Sequence, residues 1–123
     1  MKTFRKEERL CSKVFIDELV SKGKSFNSFP YRVSWIIATE NKVPVKIVIS
    51  VPKRIFKRAV DRNRLKRLTR EGYRKNKEVL YKELKDKKVN IMFVYTAKTL
   101  MEGKELEEKL VSALMMLVKR INT

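Results

Sequence analysis

Residues 52–75 read PKRIFKRAVDRNRLKRLTREGYRK, and the division of this stretch into loop and helix decides the fold. From Lys53 to Lys75 it holds eleven Lys or Arg against two acids, Asp61 and Glu71. A net +9 of the chain's +17 therefore falls within 23 residues. Pro52 ends a preceding strand, since proline cannot donate to a strand ladder. Lys53–Lys57 reads as a basic loop. A helix opens near Arg58, with its core running to Lys75 and its pattern extending through Leu84. With Arg62 as origin, Asn63, Lys66, Arg70 and Tyr73 fall within about a quarter-turn, and Arg67 and Arg74 a little beyond. Leu65, Leu68 and Gly72 fall together on the opposite side. The pattern predicts a helix with a core side and a cationic side. Stacked cations at i, i+4 (Arg62, Lys66, Arg70) oppose helix formation by a few tenths of a kcal/mol per pair. A merely solvated face would mix signs, so the array points to an anion. Arg can fork onto a phosphate, Lys offers a point charge, and Asn63 adds a neutral donor and acceptor. Such a set suits phosphates and ribose hydroxyls better than base edges. Glu71 stands four residues from both Arg67 and Lys75, where pairing would hold the array in place.

Working outward, Val45–Val51 (VKIVISV) alternates, with Val45, Ile47, Ile49 and Val51 on one apolar face. Tyr31–Thr39 (YRVSWIIAT) is also a strand, and the two are expected to pair as an antiparallel hairpin across the Glu40–Pro44 turn. Lys24–Phe26 is a short strand followed by a turn to Pro30. Upstream, Ser12 is placed to cap a helix to Lys22, closed by Gly23. Phe15 and Leu19 lie on its apolar face, and by default such a face is core. Residues 1–10 read as a loose polar arm. Downstream, Asp86–Lys88 is a charged turn and Val89–Thr96 (VNIMFVYT) a central strand. Lys104–Ile121 is an amphipathic helix with Leu106, Leu110, Leu114, Leu117 and Ile121 in one stripe. Its acids (Glu105, Glu107, Glu108) lead and its cations (Lys119, Arg120) trail, as the helix dipole favours. The order is α-β-β-β-α-β-α, one sheet with helices packed on it, an α+β class.

The 123 residues, 43% apolar, suit a single domain with one core. A pI near 10.2 calls for a polyanionic partner, with nucleic acid first and an anionic membrane surface second. There is no His, which removes the usual proton shuttle and commonest metal ligand. Cys11 is the single Cys, so no intrachain disulfide forms, as suits a reducing cytoplasm. No segment reads as a signal peptide or membrane span.

Ala59-Val60-Asp61-Arg62-Asn63-Arg64-Leu65-Lys66-Arg67-Leu68-Thr69-Arg70-Glu71 resembles the Arg-Asn-Arg signature of the bacterial ribonuclease P protein component. Ser50-Val51 before Lys53-Arg54, and Gly23-Lys24-Ser25 after a short helix, agree with it. The resemblance covers nearly the whole chain, 1–123. It implies a two-layer α+β sandwich, of a kind also known from a ribosomal protein domain, with the signature helix in a left-handed β-α-β crossover. The general handedness rule points the other way. It also implies a non-catalytic protein subunit of a tRNA-processing endonuclease. In that family a large RNA cuts the 5′ leader from precursor tRNA with Mg²⁺ bound mainly by the RNA, and no cofactor intrinsic to the protein is expected. Lys53, Arg54, Arg58, Arg62, Asn63, Arg64, Lys66, Arg67 and Arg70 would then sit on the ribonuclease P RNA. Phe15, Leu19, Tyr31, Trp35 and Ser50 would line a cleft for the single-stranded leader, where aromatics stack bases at about 1–3 kcal/mol each. The partners implied are that RNA and precursor tRNA, with no membrane and no required protein partner.

Three other classes compete. A ribosomal-type RNA-binding protein shares the composition but not the signature. A metal nuclease needs clustered carboxylates. Asp17 and Glu18 are helix neighbours that point apart, and Asp61 and Glu71 are each flanked by Arg, so no catalytic residue is expected. A duplex DNA reader needs a helix-turn-helix pair, and here a strand and Pro52 stand directly before the basic helix. Cys11 has no base nearby and reads as a small buried side chain.

Overall fold

The computed structural model describes residues 13–39 and 41–122, without the side chains of Lys13, Val14 and Phe15. The polar arm, Cys11, the Ser12 cap and the Phe15 ring lie outside the described residues. The elements are α1 (Lys13–Lys22), β1 (Lys24–Ser28), β2 (Tyr31–Ile37), β3 (Val45–Ser50), α2 (Ala59–Leu84), β4 (Val89–Tyr95) and α3 (Gly103–Ile121). This is the α-β-β-β-α-β-α order that the periodicities predict, with α2 running its full length to Leu84.

One pairing differs. The sheet order is β1-β2-β4-β3, so β2 and β3 do not form the expected hairpin. β4 lies between them, antiparallel to β2 (Tyr31↔Tyr95) and parallel to β3 (Val45↔Val89). The cause is the composition of β4. VNIMFVY is the most continuously apolar strand, and an edge position would leave it half-wet. The hairpin that does form is β1 with β2, from Lys24↔Trp35 to Ser28↔Tyr31. Parallel neighbours need a crossover, and α2 is that crossover between β3 and β4.

Strand parity sorts the sheet into two faces. Phe26, Tyr31, Val33, Trp35, Val45, Ile47, Ile91, Phe93 and Tyr95 point one way and form the main core with α2 and α3. α3 supplies its predicted stripe, Leu106, Leu110, Leu114, Leu117 and Ile121, all buried. Gly72 of α2 lets α3 come close, since a Cβ there would meet Leu110 Cδ2 at 2.9 Å. Asn76 Nδ2 donates to Glu107 Oε2 at 3.3 Å, and Asn122 Nδ2 donates to the Glu83 carbonyl at 3.2 Å. The two helices therefore run side by side in the same direction.

α1 touches β2 and β4 but packs on the reverse face. Its Leu19 is 1% exposed, yet stands outside the main core cluster. Below it the reverse-facing Ser34 and Asn90 are buried, and Asn90 Oδ1 accepts from Asn41 Nδ2 at 2.7 Å.

Candidate nucleic-acid interface

The site begins where β3 ends. After Val51, the Pro52 carbonyl accepts the N–H groups of Ile55 (3.2 Å) and Phe56 (3.1 Å), which curls the chain into one tight turn. Phe56 is buried with its ring 5.7 Å from that of Tyr95, and Ile55 packs on the core edge. With the apolar pair anchored inward, Lys53, Arg54, Lys57 and Arg58 are left outward and exposed. One side chain then ties this loop to the helix. Arg62 Nη1 donates to the carbonyls of Phe56 (2.8 Å) and Lys57 (2.9 Å).

That bond goes with a corrected view of the helix. Buried Thr69, Tyr73, Leu80 and Leu84 all lie within about 40° of the Arg62 direction. The sector centred on Arg62 faces the sheet, not solvent, and Tyr73 is core rather than part of the cationic face. Arg62 lies past the sheet's end of that sector, where backbone carbonyls replace apolar partners. Leu65, Leu68 and Gly72 lie on the flank toward α3, since Leu68 Cδ2 would meet a Cβ at Gly103 and Gly72 meets Leu110. A helix squeezed between a sheet and a second helix buries a wider arc than its leucines mark. The cationic face is correspondingly rotated. Asn63, Arg64 and Arg67 are exposed, and Lys66 and Arg70 half-buried. Lys75 pairs with Glu107 of α3 at 3.8 Å, not with Glu71 as expected.

The candidate cleft residues separate. Leu19 is on the reverse face with Ser50, which is half-exposed. Tyr31 and Trp35 are not there: both point into the main core. Tyr31 Oη and Thr69 Oγ1 share a hydrogen bond of 2.8 Å, which pins α2 to β2, and burial raises the Tyr31 hydroxyl pKa well above its ordinary value. Trp35 is 7% exposed, with Lys24 Nζ 5.5 Å from its ring centroid. The residues beside Ser50 are instead those of opposite parity. Register sets them in three rows: Ser50, Val94, Arg32; Val48, Met92, Ser34; Lys46, Asn90, Ile36. Lys46, Val48 and Ser50 of β3, with Met92 and Val94, are half-exposed beside α1. The sequence signal for this strip is simple alternation. Once Tyr31, Val33 and Trp35 are core, Arg32, Ser34 and Ile36 must face the other way.

A cationic loop and helix on one edge of the sheet, and a half-open strip on its reverse face, are the geometry to be compared with known proteins. A family model described as Ribonuclease P matches residues 4–120. The chain belongs to the Ribonuclease P family. It is 40% identical over 85 residues to the ribonuclease P protein component of Porphyromonas gingivalis strain W83, covering 68% of this chain and 62% of that protein. It is 38% identical over 74 residues to that of Chlorobaculum tepidum, covering 55% and 48%. The matched segment thus spans less than two thirds of either relative. Among solved structures, the RNase P protein from Thermotoga maritima matches with a TM-score of 0.72 at 25% identity, over 89% of this chain and 96% of that one. The Staphylococcus aureus RNase P protein shares the fold at 20% identity, with a TM-score of 0.75 over 89% and 94%. As in the Ribonuclease P proteins, the sheet is mixed and four-stranded with three helices.

Among the described residues no three His, Cys, Asp or Glu side chains come together as a metal site. Asp61 and Glu71 stay apart among the arginines of α2. Among the described residues no helix is long and apolar enough to cross a membrane.

Proposed function

We propose that this chain is the protein subunit of a bacterial ribonuclease P ribonucleoprotein in the cytoplasm. The loop 53–58 and the outward face of α2 bind the catalytic RNA, and the reverse-face strip receives the 5′ leader of precursor tRNA. By holding both, the protein favours precursor over mature tRNA and promotes endonucleolytic removal of the leader. The chemistry belongs to the RNA and its Mg²⁺; no step passes through a protein-held metal or a protein side chain, and no protein partner is required. The observation that carries this reading is the surface built around the signature. Lys53, Arg54, Arg58, Asn63, Arg64, Arg67 and Arg70 share one edge of the molecule, on a turn and a helix anchored by Phe56, Leu65 and Thr69. Cations carried on an anchored backbone recognise a structured phosphate surface without ordering the chain that presents them.

Reconstitution tests it. The chain is added to a bacterial ribonuclease P RNA at low Mg²⁺, and leader cleavage is followed with protein alone and RNA alone as controls. Cleavage is expected only with both. A chain that leaves the RNA inactive, and binds ribosomal RNA instead, would indicate the ribosomal-type role.

A further inference from the structure

Within that RNA-binding reading, we propose that Arg62, the first residue of the Arg-Asn-Arg signature, acts as a strut that shapes the loop 53–58 and is not itself a phosphate contact. Three observations converge on this. The direction of Arg62 on α2 is that of Thr69, Tyr73 and Leu80, which face the sheet. Its Nη1 donates to two carbonyls of the loop at 2.8 and 2.9 Å, so both N–H bonds of that nitrogen point inward. Those carbonyls belong to Phe56 and Lys57, the last residues before Arg58. The turn's own ladder is two N–H groups sharing the Pro52 carbonyl. A shared acceptor at 3.1 and 3.2 Å holds a turn weakly, and the exposed cations on it repel one another. A positive charge placed under two carbonyl oxygens supplies what the turn lacks. A planar fork can reach both oxygens from one nitrogen while the aliphatic stem packs on the core edge. Lysine presents its donors differently and from a shorter stem. Arg62 thereby works through Lys53, Arg54 and Arg58, which it holds at the RNA surface.

A strut and a contact differ in what their removal takes away. Loss of one phosphate contact lowers the slope of log K against log salt by about 0.7–0.9. Loss of a strut releases a loop with several cations, so the slope falls by more than one charge's share. The test has two readouts. Without RNA, hydrogen exchange is measured at the Ile55 and Phe56 amides. Arg62→Lys and Arg62→Ala should each speed that exchange at least tenfold, with amides in β4 unchanged. With ribonuclease P RNA, salt titrations are run on a cycle of Arg62→Ala and Arg54→Ala, and on a second cycle of Arg62→Ala and Arg67→Ala. The first pair should be strongly non-additive, the double variant binding within threefold of the worse single. The second pair should multiply. Arg62→Lys keeps the charge and should still lose at least half of the affinity that Arg62→Ala loses. Unchanged loop exchange, additivity with Arg54→Ala, or full rescue by lysine would each overturn the strut. Failure of the wild-type chain to bind the RNA would strike the functional reading instead, and the exchange readout would still decide the role of Arg62.

Discussion

Tyr31 carries its proton in a place that resists losing it. Its ring packs edge-on to Phe93 and Tyr95, and its hydroxyl meets Thr69 of α2. Burial raises its pKa, and the Thr69 bond offsets this only in part. The folded chain therefore binds that proton more tightly than the unfolded chain does. The stabilisation is complete below the ordinary tyrosine value near 10, and it is lost progressively above that as pH rises through the raised folded-state value. Urea midpoints should thus fall steeply above about pH 10. Tyr31→Phe should flatten that fall while costing about 1 kcal/mol at neutral pH, as the buried Thr69 hydroxyl loses its partner. Parallel alkaline limbs in the two proteins would show that Tyr31 is not responsible. The outward arginines behave differently. Arg67→Ala with Arg70→Ala should leave unfolding within about 0.5 kcal/mol of wild type. It should weaken binding to ribonuclease P RNA and lower the salt slope by about 1.4–1.8, one share for each phosphate released. Equal slopes in wild type and variant would place these two residues off the RNA.

At the level of elements, α2 shows what the sequence makes legible and what it leaves out. Its extent was readable from the leucine spacing, and its cationic character from the signature. Its rotation was not. Leu65, Leu68 and Gly72 mark the flank toward α3, while the sheet-facing sector within the basic stretch is filled by Thr69 and Tyr73, which hydropathy alone counts as polar or ambiguous, and becomes leucine only at Leu80 and Leu84. The strand order was equally hidden. β2 and β3 are adjacent in sequence and look like a hairpin, yet the apolar β4 takes the centre. Local pattern records burial on a face and not which neighbour supplies it. Gly72 is the position where the helix pair depends most closely on residue size. A Cβ there already meets Leu110 Cδ2 at 2.9 Å, and Leu110 is fully buried. Gly72→Val should cost about 1–3 kcal/mol by overpacking, seen as a lower melting temperature. An unchanged melting temperature would mean that the two helices can part without loss.

For the whole molecule, the sheet separates two binding surfaces by strand parity. Tyr31 and Trp35 carry the aromatic mass that suggests a stacking groove, but that mass is the core joining β2 to α2 and α3. The reverse face beside α1 offers smaller groups: Val48, Met92, Val94 and Ser50 between the cations Lys46 and Arg32. Such a strip can hold an unpaired strand by apolar contact beneath the bases and by cations along the phosphates. Alternation in β2 was enough to separate these faces, once the side carrying the core was known. A single carboxylate in the strip should therefore oppose the leader alone. Val48→Glu places a negative charge at the β3 end of the middle row, next to Met92, at a half-exposed position that tolerates a longer side chain. Affinity for precursor tRNA in the reconstituted complex should fall at least tenfold, about 1.4 kcal/mol. Affinity for mature tRNA, and of the protein for ribonuclease P RNA, should stay within twofold, because the cationic loop and outward face of α2 lie at the sheet's edge. Equal losses for precursor and mature tRNA would move the leader off this face, and a loss of assembly would mean that the two surfaces are not independent.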